Sequence, residues 1–385
     1  MKRILFLLVG IAVALAPLSA IDIRFTPPIF VGSGAGGEAA ALADYLTKEF
    51  ADIFTEFQED LAKDFAGIDK YPSDMVKAFG NASVFASDGA SNRAHRGYNL
   101  FSVTAGSIIG FQLPSSPFKI ADEIDDIANR LEKDGDINLG INPQVLNVQV
   151  GINTSRFLLE NLYLGIKVGY FNMAMEPMEF NTLALGLTAN YQFLPRANIA
   201  GGIVQWRGVN FGTGIMFQRT SMDISLELDP IVDESLKIEA SAYPALGLGY
   251  DRTITTTVTP TITMGLSQTT VTIPLEALTS VRLLWFLNVH AGLGVDLAFG
   301  SSKLEASSSS VISMSGLPQG GSYTLTQQRP AKLDVVMEGS ENPRFLNLKF
   351  MTGVGFSLGP VVIDIPVTFY IGNGYNAGLT IGVVW

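Results

Sequence analysis

The sequence predicts an all-β fold: a transmembrane antiparallel β-barrel, preceded by a helical segment that plugs it or lies beside it. Three observations predict this. From Tyr98 onward, apolar side chains fall on every second position, again and again, with glycine or polar residues between them. The chain is 47% hydrophobic and carries 39 glycines among 385 residues, yet after its first twenty residues no run of 18 or more apolar residues would make a membrane helix. The last stretch, Tyr375 to Trp385, alternates to its final aromatic. Hydrophobicity of this amount, without an apolar helix, has to be spread over strands. Lipid offers no partner to an open sheet edge, so those strands close on themselves.

Taken in order, residues 1–20 read as a secretory signal peptide. Lys2 and Arg3 precede the apolar run Ile4–Leu15, and cleavage is expected after Ala20. Residues 21–97 form a helical N-terminal segment. Ile21–Gly37, with Pro27-Pro28 and a glycine-rich end, reads as an arm and hinge. From Glu38 to Phe65 the period lengthens, and Leu42, Leu46, Phe50, Phe54, Phe57, Leu61 and Phe65 make one apolar stripe opposite an acidic face. Ser73 caps a shorter helix, Asp74–Phe79, which Gly80-Asn81 stops. The stripe needs a surface to cover, which favours a plug in the barrel mouth over a periplasmic subdomain. A polar link, Ser87–Gly97, contains the basic patch Arg93-Ala94-His95-Arg96, expected to pair with the acidic helix face or to hold an anion.

Residues 98–385 are the barrel. Strands are expected at Tyr98–Leu113, Val145–Asn153, Leu162–Phe171, Leu183–Phe193, Ile203–Gln218, Met222–Leu228, Leu236–Tyr250, Val281–Trp285, Val289–Phe299, Leu346–Leu358, Val361–Ile371 and Tyr375–Trp385. Counting back from a last strand that ends in the periplasm, the tight links Gly359-Pro360 and Phe286–Asn288 fall inside. The long stretches 114–144, 251–276 and 300–344 fall outside, the asymmetry expected of such barrels. The links at 219–221 and 372–374 are short yet external. Parity gives twelve strands; the alternating Thr253–Pro274 stretch would make fourteen, which is favoured. The loop 114–144 carries Ile120, Ile124, Ile127 and Leu131 at helical spacing. Ala306–Ser315 and Gly316–Gly321 read as low-complexity, mobile chain. Pro244 and Pro366 interrupt strands and predict a bulge or kink at each.

Composition excludes several chemistries. With Lys2 and Arg3 removed, 23 basic residues face 36 acidic ones, so nucleic acid is not an expected partner. No cysteine is present, which removes disulfides, thiolate chemistry and cysteine-based zinc sites. Asp122–Asp126 lacks the spacing of a calcium loop, and neither a metal nor another cofactor is expected. His290 is the one base on a strand, and no hydrolase motif surrounds it, so catalysis is not expected. The inward faces should instead display Asn147, Gln149, Lys167, Asn190, Arg282, His290, Asp296, Lys349 and Asp364, which either line a path or cross-link the interior.

Tyr375, Leu379, Ile381, Val383 and Trp385 resemble the C-terminal signature of bacterial outer-membrane β-barrel proteins, in which the terminal strand is read by the insertion machinery. With the helical segment before the strands, the chain is also similar in architecture to long-chain fatty-acid transporter-type barrels with an N-terminal plug. That family's Asn-Pro-Ala hatch motif is absent, so no ligand residues carry over. The resemblance implies a protein of the bacterial outer membrane, in contact with its lipid, mediating passive uptake of a small hydrophobic molecule. A surface-interaction protein without transport is the alternative, and an outer-membrane lipid hydrolase built on His290 the third.

Overall fold

The computed structural model describes residues 20–34, 37–65, 71–91, 93–95, 98–114, 139–201, 203–227, 229–239, 241, 251–317 and 323–385. The expected signal peptide (residues 1–20) but for Ala20, the predicted helix in the loop 114–144, and Pro244 lie outside them. The elements in chain order are β1 (Ala20–Thr26), β2 (Ile29–Gly34), α1 (Glu38–Phe65), α2 (Tyr71–Phe85), β3 (Phe101–Gln112), β4 (Gly140–Asn153), β5 (Leu162–Met175), β6 (Met178–Leu194), β7 (Ala197–Ala200), β8 (Val204–Glu227), β9 (Ile231–Ile238), β10 (Arg252–Leu283), β11 (Leu287–Ser315), β12 (Tyr323–Arg329), β13 (Ala331–Glu341), β14 (Leu346–Leu358), β15 (Val361–Tyr370) and β16 (Gly374–Val384). Short 3-10 turns at Ala86–Asp88 and Arg93–His95 follow α2. The chain forms two compact units. The barrel unit is Ser73–Asp223, Leu266–Lys303 and Ser340–Trp385; the other holds the residues up to Pro72 with Ile224–Gly265 and Leu304–Gly339.

In the barrel unit the wall runs β14, β15, β16, β3, β4, β5, β6, β8, β10, β11 and returns to β14, a closed ring of ten strands. The closing seam is β16 on β3, in unbroken antiparallel register from Gly374↔Gln112 to Val384↔Ser102, with Trp385 N donating to Phe101 O at 2.9 Å. Alternation then sorts the side chains. Leu164, Ile166 and Val168 of β5, Leu185 and Leu187 of β6, and Leu379, Ile381 and Val383 of β16 are exposed outward. Their neighbours Lys167, Ala184, Asn376 and Thr380 are buried inward. An apolar belt around a polar interior is what lipid outside the wall selects. Trp285 and Trp385, 70% and 59% exposed, stand at the same end of the ring, where amphipathic rings suit the membrane interface.

The hydrogen-bonded sheet has fourteen strands in all, of which ten close the wall. The difference from the sequence expectation lies in where strands stop. The predicted turn at 219–221 does not exist: Arg219-Thr220-Ser221 holds no turn-forming pair, Thr220 is buried in step with Gln218, and β8 runs through. Likewise 251–276 is neither an external loop nor a hairpin at Thr253–Pro274: from Arg252 it is the first part of the single strand β10. The stretch from Gly300 continues β11 as far as Ser315. Gly300, at φ +140°, is a glycine of close approach: a Cβ there would strike the Thr269 carbonyl. Leu304, Ala306, Ser308, Ser310 and Ile312 are buried alternately, so the serine run is ordered ladder. Pro366 sits in β15 opposite Gly353 with no register shift, so no bulge forms there.

The other unit has its own logic. β13 pairs with β1 (Ile23↔Val335) and with β11, while β9 pairs with β10 (Ile238↔Arg252). The two-stranded β2–β12 sheet carries α1. Leu42, Leu46 and Phe50 of its stripe are buried, the Phe50 ring lies 6.0 Å from that of Phe30, and Phe30 N donates to Thr47 Oγ1 at 3.2 Å. The side chains of Phe54, Phe57, Leu61 and Phe65 are outside the described residues. The described surface covered by the stripe is therefore the two-stranded β2–β12 sheet of its own unit.

What fills the ring is the next segment, from α2 to His95. It touches β3, β4, β5, β8, β10, β11, β14, β15 and β16. Glycines let it come close: a Cβ on Gly110 would collide with the Ala82 carbonyl and one on Gly140 with that of Ala78. Gly110→Val is therefore expected to lower the temperature at which the folded, fast-migrating band is lost on a heat-modifiability gel. Ile109→Val, on the outward face one residue away, should leave that temperature unchanged.

Candidate functional site

The luminal segment is fixed first by neutral hydrogen bonds. Asn376 Nδ2 donates to Phe85 O at 2.6 Å, Thr104 Oγ1 to Ala90 O at 2.7 Å, and Arg344 N to Asn81 Oδ1 at 2.7 Å. Ser83 and Thr270 hydroxyls are 3.0 Å apart, and Phe85 stacks on Tyr370 with centroids at 4.1 Å. Each satisfies a polar group, or covers an apolar one, that water does not reach.

A buried charge cluster lies deeper. Arg93 pairs with Asp88 of the same segment and with Glu276 of β10, Nη2 to Oε1 at 3.1 Å. Lys349 Nζ of β14 lies 2.8 Å from Glu276 Oε1, 2.7 Å from Asp296 Oδ1 and 3.4 Å from Asp88 Oδ2. Arg93 Nη1 also donates to Thr368 Oγ1 at 2.9 Å, and Lys167 Nζ to the Ser87 carbonyl. Three carboxylates and three cations thus meet in one place, all buried. Desolvating six charges is costly, and only mutual pairing offsets it. Removing one partner leaves a stranded charge, worth about 3–5 kcal/mol.

The structure brings several of the candidates from sequence into this assembly and leaves others apart. Lys349, Asp296 and Lys167 belong to the cluster. Gln149, Lys167 and Asn190 line one small cavity with Asp88, Ser91, Arg93, Thr188 and Glu276. Asn147 lies against Gly89. His290 Nδ1 faces Asp364 Oδ1 at 3.8 Å, and the other oxygen of Asp364 accepts from Ala94 N at 2.9 Å. Arg282 is half-buried, near His95. Arg93 and His95 meet the wall, and the acids that Arg93 pairs with are Asp88 and Glu276. Sequence reasoning passed over both of these. Glu276 ended a stretch read as loop, although Leu275-Glu276-Ala277-Leu278 already alternates; Asp88 sat in a polar link with no period to mark it.

His95 Nε2 is 3.2 Å from Asn288 Nδ2. Burial, helped by the nearby Arg207 and Arg282 guanidiniums, pushes its imidazole down to about 3. A released segment would bind its proton near the ordinary value of about 6.5. Between those two values the released form holds more protons, so seating weakens as pH falls.

A second cavity, of about 330 Å³, lies at the wall and is lined by Leu162, Ala189, Tyr191, Phe211, Gly212, Thr213, Leu275 and Glu276 from β5, β6, β8 and β10. All but Thr213 and Glu276 are apolar or aromatic. Those two residues also line the small luminal cavity, together with Pro274, which offers the ladder no N–H.

Two outcomes follow. Lys349→Met, which takes from Asp296 its ion pair and leaves Glu276 and Asp88 with Arg93, is expected to destabilise the luminal segment by about 3–5 kcal/mol, read as faster proteolysis of residues 73–95 in detergent-solubilised protein. Acidification from pH 7 to 4 should speed the same cleavage, and His95→Gln should flatten the part of that dependence below pH 6.5.

No curated protein matches the chain. Among solved structures it is similar to the translocator domain of autotransporter NalP from Neisseria meningitidis, at 10% identity over 76% of this chain and 90% of that one, with a TM-score of 0.27. It is also similar to the toluene transporter TbuX of Ralstonia pickettii, at 10% identity over 80% of this chain and 99% of that one, with a TM-score of 0.22. A family model described as Lsa36-like matches residues 28–385, the whole of the barrel unit and most of the other, and the chain belongs to the Lsa36-like family.

Proposed function

We propose that this protein resides in the bacterial outer membrane and mediates passive uptake of a small hydrophobic molecule, which leaves the barrel through its wall. The observation that carries this is that the apolar wall cavity and the luminal cavity share Thr213 and Glu276 in their linings. An apolar solute gains by moving from a wet lumen into a pocket of Leu162, Tyr191, Phe211 and Leu275. From there acyl chains are the adjacent phase. The volume suits a molecule of one or two rings and excludes large solutes. The partners in this reading are outer-membrane lipid, against the outward apolar belt, and the insertion machinery, which would recognise β16. No cofactor takes part.

The test uses intact cells, whose lipopolysaccharide leaflet resists apolar solutes. Entry of the fluorophore N-phenyl-1-naphthylamine is expected to rise on expression of the protein and not on equal expression of Thr213→Trp, whose indole fills the cavity. Equal entry through both would refute the wall route.

A surface-interaction role is favoured by a separate observation. β10 and β11 have 32 and 29 residues, whereas a bilayer is crossed by about 9–11. Protease treatment of intact cells separates the readings: probe entry that survives it supports transport.

A further inference from the structure

We infer that Arg196, Arg207 and Arg282, at the Trp385 end of the ring, form a binding site for a phosphate or phosphomonoester anion. The inference does not depend on what crosses the wall, and every group it uses lies in the barrel unit.

Strand pairing brings the first two together. β8 and β10 are neighbours in the ring, and Leu284 N donates to Ile203 O at 2.8 Å. Counting four residues on from Ile203 and two back from Leu284 sets Arg207 and Arg282 diagonally across one antiparallel pair, where long side chains reach each other. Both point into the lumen. Arg207 Nη1 donates to Oδ1 of the buried Asn288 at 3.3 Å, and Arg282, two residues after the buried Ser280, shares its face of the strand. Arg196 comes from the link between β6 and β7, is exposed, and acts by its charge on Arg207 and on the Tyr163 hydroxyl. Neutral groups complete the corner. Gln192 Nε2 donates to Arg207 O at 3.1 Å, while Asn288 Nδ2 donates to Ser357 Oγ at 3.0 Å and meets His95 Nε2.

Acid is what this corner lacks. In the deeper cluster Asp88, Glu276 and Asp296 offset the buried cations; here, among the described residues, no carboxylate pairs with any of the three arginines. Arg282 Nε is buried without a hydrogen-bond partner. Guanidiniums this close repel one another, and in a partly desolvated site water and salt screen that repulsion poorly. An anion seated among them relieves it. Each guanidinium presents its N–H groups in a planar fork that fits two oxygens of a phosphate at a time. A carboxylate offers two oxygens and one charge, fewer than three forks can use, whereas a phosphomonoester offers three oxygens and close to two charges. Because Arg196 is exposed, the site opens at the mouth of the ring. Free phosphate and the headgroup of a lipid phosphomonoester present the same chemistry there.

The test uses the full-length protein folded in an uncharged maltoside detergent, with radiolabelled inorganic phosphate as probe in equilibrium dialysis at low ionic strength. Saturable binding is expected. Arg282→Gln should weaken it at least about tenfold, through loss of charge-assisted hydrogen bonds. Arg282→Lys, which keeps the charge and loses the fork, should weaken it less. Arg196→Gln alters the same site from an exposed position, so it separates loss of binding from loss of the fold, and it too should weaken binding. Displacement of the phosphate by dihexanoyl phosphatidic acid assigns the site to a lipid headgroup, and its persistence assigns it to a soluble phosphate; the site stands in both cases. Absence of saturable binding, full binding by both glutamine variants, or displacement by an equal concentration of chloride overturns it.

Discussion

Everything else rests on the seam between β16 and β3. Within lipid an unpaired strand edge costs several kcal/mol for each bare N–H or C=O, so an open sheet of these ten strands would not persist in a bilayer. Once Gly374↔Gln112 through Val384↔Ser102 are paired, two environments exist where there was one. The outer face is free to be as apolar as Ile166, Leu187 and Ile381, and the inner face is sealed from lipid. Only then do Asn147, Lys167, Asp296 and Lys349 become tolerable on strands whose other face is apolar.

Sealing creates its own demand. Inward polar groups on ten strands need partners, and the luminal segment supplies them: the carbonyls of Phe85, Ser87 and Ala90, the Ala94 amide, and the side chains of Asp88 and Arg93. The segment is short and partly irregular because its work is local pairing at many points around a ring. A long regular helix presents few free backbone groups to a wall. The small residues Ala78, Ala82 and Ala86 let the backbone rather than bulky side chains meet the glycines of β3 and β4.

The fold class and the two-faced strands were legible because a period of two survives in a single sequence. β3, β5, β14, β15 and β16 fall within a few residues of their expected bounds. Strand ends were less legible, because alternation does not announce where the bilayer stops. Ala306–Ser315 looked like loop from its Ser content, and the alternation of Thr253–Pro274, though visible, suggested a hairpin where one long strand runs through. The polar lumen set was readable by parity, since inward positions alternate with the greasy ones. The partners of that set were not. Asp88 and Arg93 sit five apart in a link without periodicity, and nothing in their local sequence points to Glu276 or Lys349 far along the chain. The Phe stripe of α1 drew attention because it is periodic, but the residues that enter the ring come one helix later and show no stripe at all. A segment surrounded by wall on every side has no polar face to contrast with.

The buried cluster also bears on how a filled barrel can pass anything. Withdrawing the segment would break the pairs of Arg93 and Asp88 with Glu276 and Lys349 at once, and each stranded charge costs about 3–5 kcal/mol. Even two such losses fall within the whole stability range of a typical domain, about 5–15 kcal/mol, so thermal motion alone would rarely open it that way. The wall cavity avoids the cost. Glu276 keeps Arg93 and Lys349 on its inner side while its other flank borders Thr213 and the apolar pocket. A small apolar solute moving there breaks no ion pair and leaves the segment seated. In the proposed uptake, the cluster that closes the axis would thus be the floor of the lateral route, and the same charges that would trap a polar solute offer an apolar solute nothing to hold it.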